Sequence, residues 1–156
     1  MYQDRIKKAE ELFLQGYNCA QSVTAAFADI YGIDFETALK ISAGFGAGIG
    51  RMRETCGAAC GMFILAGLEK GSLVGGDQKQ KGDCYKLVQE LAEKYKKNNG
   101  SLICAEILGI KKPTGDEYNP VPEKRTEDYF KKRPCVQKVK NAAEIYVEYL
   151  INNTYN

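Results

Sequence analysis

The chain has 156 residues, of which 44% are hydrophobic and 27% charged, as is typical of one globular domain with an ordinary core. Its net charge of +2 is too small to predict a nucleic-acid or membrane surface. The chain contains no histidine, which excludes a Ser-His-Asp triad, a Cys-His dyad, a His-ligated zinc site and a C-x-x-C-H haem attachment.

The first part of the chain is predicted to form four helices, each with one apolar face. We predict them over residues 3–15, 19–31, 35–42 and 56–70. Asn18, Asp34 and Thr55 are expected to cap the last three, because such side chains accept hydrogen bonds from the first free N–H groups of a helix. A glycine-rich loop over residues 44–50 precedes the fourth helix.

Three further helices are predicted in the second part. A long helix begins at Gln78 or Asp83 and ends near Lys97, and Ser101 is expected to cap a short helix over residues 102–108. Pro134 is expected to begin the last helix.

Residues 110–134 contain all four prolines and many charged residues, which predicts a surface excursion with one helical turn near residues 123–131. A connection of this length is typical of segments that cover a site. Its charged side chains are interpreted as a solvated face.

No segment shows the strict alternation of a β-strand. The predicted fold is therefore all-α. We expect a single domain, residues 1–156, built as a bundle of about six or seven helices.

The glycine-rich loop leads directly to Cys56. Its glycines do not form G-x-G-x-x-G and no strand precedes them, so a dinucleotide site is not predicted. Glycine allows a backbone to turn sharply or to approach a sulfur atom or a cluster closely, although close helix packing is an alternative. The cofactor-binding residues predicted here are Gly46, Gly48, Gly50, Arg51 and Arg53.

Five of the six cysteines are predicted to lie in the first turn of a helix: Cys19, Cys56, Cys84, Cys104 and Cys135. The free N–H groups and the dipole of a helix start favour a thiolate, so the pKa of such a thiol is expected to fall below about 8.5. Cys56 is the predicted nucleophile, and Cys60, one turn later, could resolve it. Core packing is the alternative, favoured for Cys84, which continues an apolar stripe.

No apolar run approaches the roughly 18 residues of a membrane span, and the first residues lack the layout of a signal peptide. We therefore expect a cytoplasmic protein with no membrane span and no nucleic-acid partner. Because thiols in that compartment are mostly kept reduced, the six cysteines are expected to be free, catalytic or metal-bound.

The motif Cys56-Gly57-Ala58-x-x-Gly61 resembles that of the redox-active proteins named for their C_GCAxxG_C_C cysteine pattern. Gly16-Tyr17-Asn18-Cys19, Gly100-Ser101-x-x-Cys104 and Cys135 resemble the other cysteine segments of that family, so the resemblance covers about residues 5–150. It implies that the functional cysteines are Cys19, Cys56, Cys104 and Cys135, with Cys60 and Cys84 additional.

A similar domain occurs in split-Soret cytochromes, whose cysteines are linked to an iron–sulfur centre. This chain lacks haem ligands, so no haem is expected.

Three functions are compatible with the sequence. The first is electron transfer or redox sensing with an iron–sulfur cluster or another metal on the four functional cysteines. The second is thiol–disulfide chemistry by Cys56 with a resolving cysteine. The third is a zinc-binding or structural module without catalysis. The sequence identifies neither the redox partner nor the oligomeric state, and it leaves open whether the protein is an enzyme.

Overall fold

A computed structural model describes residues 1–154, which form eight α-helices. They are α1 (Gln3–Leu14), α2 (Cys19–Phe27), α3 (Phe35–Ser42), α4 (Gly57–Lys70), α5 (Gln78–Asn99), α6 (Cys104–Leu108), α7 (Glu127–Lys132) and α8 (Cys135–Thr154). The all-α prediction is confirmed. The described residues form eight helices rather than the six or seven expected, since the turn predicted near residues 123–131 forms α7.

Local side-chain chemistry sets several helix ends. The Asn18 side chain accepts a hydrogen bond from the Gln21 N–H at 2.9 Å, and the Gln21 side chain accepts one from the Asn18 N–H at 3.1 Å, which is a capping box. Asp34 caps α3 by accepting from the Thr37 N–H at 2.8 Å. Both predicted caps are confirmed.

Two other predicted caps are wrong. Thr55 pairs with Ile103 in an isolated antiparallel bridge, and Cys56 takes the N-cap position of α4 without a side-chain hydrogen bond. Ser101 is not a helix cap, because α6 begins only at Cys104; its hydroxyl accepts from the Ile103 N–H instead. Pairing between two distant segments therefore replaces local capping at both helix starts.

The predicted first-turn position of Cys84 is also wrong. Asp77 accepts a hydrogen bond from the Gln80 N–H at 3.0 Å and so starts α5 at Gln78. Cys84 lies further along that helix, where its Sγ faces the Ala66 carbonyl at 3.9 Å.

The core lies between α1, α2, α4, α5 and α8. Helix α2 packs on α4, α4 packs on α5, and α1 packs on α8, so the first and last helices are neighbours in the bundle. The largest fully buried side chains in it are Tyr95, Tyr146, Phe13, Phe27, Met62 and Leu65. Among residues 1–154, no helix combines the length and apolarity that crossing a membrane requires.

The segment between α6 and α8 is held against the bundle by Arg125. Its guanidinium donates hydrogen bonds to the carbonyl groups of Phe13, at 2.8 Å, and Tyr17, at 3.1 Å, and lies 3.9 Å from the centre of the Phe13 ring. A cation over an aromatic face adds a further attraction. These contacts hold the segment against the part of the bundle where Cys19, Cys56, Cys104 and Cys135 lie.

Candidate functional site

Four cysteines from four helices line one cavity of about 380 Å³. They are Cys19, Cys56, Cys104 and Cys135. Cys19, Cys104 and Cys135 are the first residues of α2, α6 and α8, which confirms their predicted first-turn positions. Cys56 is the N-cap of α4 and so lies one residue before the first turn predicted for it. The start of each of these four helices therefore contributes one cysteine to the lining of the cavity.

The other two cysteines, both described, lie outside the lining of this cavity. Cys60 is one turn further along α4, with its Sγ 3.8 Å from the Thr55 carbonyl oxygen. Cys84 is on α5, facing α4. The structure thus separates the cysteines into a group of four and two that pack elsewhere.

The bridge between Thr55 and Ile103 brings Cys56 and Cys104 to the same wall of the cavity. The Cys56 N–H donates to the Leu102 carbonyl at 2.6 Å on one side of the bridge. The Cys104 N–H donates to the carbonyl that precedes Thr55 in the chain, also at 2.6 Å. Because these bonds fix the backbone of both cysteines, the fold sets the spacing of their Cα atoms.

Two glycines of the cysteine motif allow α4 to lie very close to α2. A Cβ atom built on Gly57 would stand 2.3 Å from the Cys19 Sγ, and one on Gly61 would stand 2.7 Å from the Val23 Cβ. Real Cβ atoms do not approach other atoms so closely. A side chain at position 57 would thus overlap the Cys19 sulfur, and glycine leaves that space free.

The glycine-rich loop forms a left-handed turn beside the cavity. Residues 47–51 all have positive φ, from 56° to 76°. The turn is closed by hydrogen bonds from the Ile49 N–H to the Phe45 carbonyl, at 3.2 Å, and from the Glu54 N–H to the Gly48 carbonyl, at 2.9 Å. Each non-glycine residue in this conformation costs about 1–2 kcal/mol. Strain is therefore concentrated in one wall of the site.

The predicted loop residues take two roles. Gly46, Gly50, Arg51 and Arg53 line the cavity. Gly48 instead allows close packing, since a Cβ atom there would stand 2.6 Å from the Cys104 Cβ.

Replacing Ala47 with glycine is expected to stabilise the protein by about 0.5–1 kcal/mol, because glycine adopts the left-handed conformation without the clash of a Cβ atom. The matched control is Ala43→Gly, because Ala43 is exposed and has a φ of −54°. This variant is expected to lose about 0.5–1 kcal/mol of stability. Denaturant unfolding measures both changes in the free energy of unfolding. Destabilisation by both replacements would contradict the strained turn.

The sulfur atoms of Cys56 and Cys104 each face a polar side chain. The Cys56 Sγ is 3.0 Å from the hydroxyl oxygen of Tyr95, which is fully buried. Burial, with Cys56 nearby, raises the pKa of Tyr95 above its usual value, so the hydroxyl keeps its proton. The Arg53 guanidinium donates to the Cys104 Sγ at 3.7 Å.

The other two sulfur atoms have donors as well. Burial raises the pKa of Cys19, and the neighbouring Cys56 raises it further, while the backbone N–H of Ala47 opposes both effects. Burial raises the pKa of Cys135, and a hydrogen bond from the Tyr129 hydroxyl opposes it. Each of the four sulfur atoms thus has a hydrogen-bond donor or a phenol hydroxyl beside it.

The expected fall in thiol pKa is wrong for Cys19, Cys104 and Cys135. Burial raises the pKa of all three, and at Cys104 it outweighs the opposing effect of the Arg53 guanidinium. Burial also raises the pKa of Cys60 to about 12. Desolvation therefore outweighs the neighbouring donors and cations, and these thiols stay protonated at neutral pH unless a bound cation compensates the thiolate charge.

The charged side chains that line the cavity are mostly cationic. Of the described residues that line the cavity, Glu123 alone carries a carboxylate. The cationic side chains in the lining are Arg51, Arg53, Arg125, Arg133 and Lys138. The positive charge at this cavity exceeds the small net charge of the whole chain.

Within residues 1–154, no three His, Cys, Asp or Glu side chains form a group that could hold a metal ion as they stand. Four sulfur ligands of one zinc ion would each lie about 2.3 Å from it, hence about 3.8 Å from one another. The cysteines share a cavity without forming such a compact shell.

Sequence reasoning did not identify Tyr95, Tyr129, Glu123 and Arg133 as part of the site. Tyr95 continues the apolar face of α5, and its hydroxyl is the available signal, since a buried phenol needs a partner. The interpretation of the charged side chains of residues 111–133 as a solvated face is wrong for Arg125 and Arg133, which are half-buried and line the cavity; Glu123 lines it too but stays exposed. The expectation that this segment covers a site agrees with their positions.

A comparison with protein-family models finds one described as "Putative redox-active protein (C_GCAxxG_C_C)", which matches residues 17–149. That match includes all four cysteines of the cavity. Neither the curated proteins nor the solved structures contain a significant match to the chain.

Proposed function

Because the chain belongs to the C_GCAxxG_C_C family, described as redox-active, we propose that it carries an iron–sulfur cluster and serves in electron transfer or redox sensing. The proposed ligands are Cys19, Cys56, Cys104 and Cys135. The observation that carries this proposal is that four cysteines from four helices line one cavity. A cytoplasmic location belongs to the proposal, since all six thiols are free.

The cavity suits a cluster better than a single ion. In a cluster the thiolates bind different iron atoms, so their sulfur atoms stand farther apart than around one zinc ion. The cavity volume of about 380 Å³ leaves room between the cysteines, and they form no compact shell for one ion. A bound cluster would supply one-electron chemistry.

The protein's own residues have defined roles in this proposal. Three of the sulfur atoms have a donor group beside them: the Tyr95 hydroxyl at Cys56, the Ala47 N–H at Cys19 and the Arg53 guanidinium at Cys104. Hydrogen bonds to sulfur and nearby positive charge favour the more reduced state of an iron–sulfur centre. Burial of Cys56 and Cys104 limits water at the site.

A thiol–disulfide function with Cys56 and Cys60 is the second candidate. The two are one turn apart at the start of α4, where the Cys60 N–H donates to the Cys56 carbonyl at 3.0 Å. The pKa of about 12 at Cys60 argues against it, because little thiolate forms there at neutral pH. Thiol counting before and after mild peroxide tests it, and loss of these two thiols as a pair would favour it.

Anaerobic purification followed by reconstitution with ferrous iron and sulfide tests the cluster. We expect bound iron and acid-labile sulfide together with a visible absorption that dithionite bleaches. A colourless protein that binds neither would contradict the proposal. Zinc as the sole bound metal would favour the structural module instead.

A further inference from the structure

Three arginines share one carboxylate at the mouth of the cavity. The Glu123 Oε1 lies 2.5 Å from the Arg133 Nη2, 3.7 Å from the Arg53 Nη2 and 3.8 Å from the Arg51 Nη2. The arginine side chains are only 12–19% exposed, whereas that of Glu123 is 41% exposed. One carboxylate therefore balances only part of the charge of three largely buried guanidinium groups.

Buried positive charge that lacks a full set of counter-charges is costly. Guanidinium groups pair with carboxylates and other oxyanions through parallel hydrogen bonds, and such pairs strengthen where water is limited. The remaining cations of the lining, Arg125 and Lys138, add to the excess. The mouth of the cavity is thus arranged for more negative charge than Glu123 provides.

Glu123 reaches this position on a segment without a helix of its own. Residues 118–126 have no regular secondary structure. The segment is held by the Arg51 guanidinium, which donates to the carbonyl groups of Asn119, at 3.0 Å, and Val121. Because the same arginine binds the segment and faces Glu123, a competing anion at Arg51 would loosen both contacts.

We propose that Arg51, Arg53 and Arg133 form a binding site for the carboxylate or other oxyanion group of a small anionic ligand. Glu123 occupies this site until the ligand displaces it. Arg53 also donates to the Cys104 Sγ, so the bound anion lies one side chain away from the thiols. The site depends on the arginines alone and goes beyond the proposed cluster.

Calorimetric titration with sulfate tests this site in the full chain, reduced and free of metal, at constant ionic strength. Glu123→Gln removes the competing carboxylate and is expected to tighten sulfate binding about tenfold. Arg133→Gln is expected to weaken it about tenfold or more. Circular dichroism of each variant verifies that it is folded, and Arg51→Gln replaces Arg133→Gln if the latter unfolds.

Lys132→Gln is the matched control, because Lys132 is an exposed cation at the end of the neighbouring helix α7, where it pairs with Asp128 at 3.0 Å. It should bind sulfate as the unmodified protein does. The proposal is overturned if Glu123→Gln leaves sulfate binding unchanged or absent, or if Lys132→Gln weakens it as much as the arginine replacement. A parallel titration with acetate distinguishes a site for carboxylates from one for sulfate-like oxyanions. Since no metal is present, a failure here is separate from a failure of the cluster.

Discussion

Replacing Gly57 with alanine is expected to destabilise the protein by about 2–3 kcal/mol. The added Cβ atom would stand 2.3 Å from the Cys19 Sγ and 2.9 Å from the Phe45 carbonyl oxygen. Either α4 or the start of α2 must move to relieve these contacts, and both elements carry a cysteine of the cavity. Chemical denaturation measures the loss in the free energy of unfolding.

Gly67→Ala is the matched control, in the same helix. Gly67 is exposed, and a Cβ atom there would meet nothing within 4 Å. Alanine is favoured over glycine in a helix interior, so this variant is expected to gain about 0.5–1 kcal/mol. If both variants had the stability of the unmodified protein, the close approach of α2 and α4 at Gly57 would be wrong.

Serine at any one of the four cavity cysteines is expected to reduce the iron retained after reconstitution to about a tenth or less, because a neutral hydroxyl is a much poorer iron ligand than a thiolate. The four replacements are made singly at Cys19, Cys56, Cys104 and Cys135. Iron and sulfide assays of each gel-filtered variant measure the effect, and circular dichroism verifies its fold.

Cys84→Ser and Cys60→Ser are the controls, since both cysteines lie outside the cavity lining. Each should retain iron at the level of the unmodified protein. Equal losses in the controls and in the four variants would mean that the cavity does not define the ligand set. Full iron retention by Cys56→Ser would likewise mean that the cavity does not define the ligand set.

Helix ends that depend on neighbouring residues could be predicted from the sequence. Asn18 and Asp34 cap their helices as expected, because their partners lie three residues away. Thr55 could not be placed correctly, since its partner Ile103 lies far along the chain. A capping preference is a local property, whereas a bridge depends on how the whole chain folds.

The cavity was predictable only in part. The glycines explain why the loop can adopt positive φ at Gly48 and Gly50, but Ala47 and Ile49 share that conformation without a sequence signal for it. The position of Glu123 at the cavity could not be predicted, because a charged, proline-containing segment is ordinarily solvated. The rise in thiol pKa was missed for a related reason: burial decides it, and burial depends on tertiary packing.

Iron K-edge X-ray absorption on the reconstituted protein tests the central claim most directly, because it reports the atoms around the iron. The account predicts a first shell of sulfur alone and a second shell of iron, as four thiolates around a cluster require. Oxygen or nitrogen ligands without an iron–iron shell would contradict it.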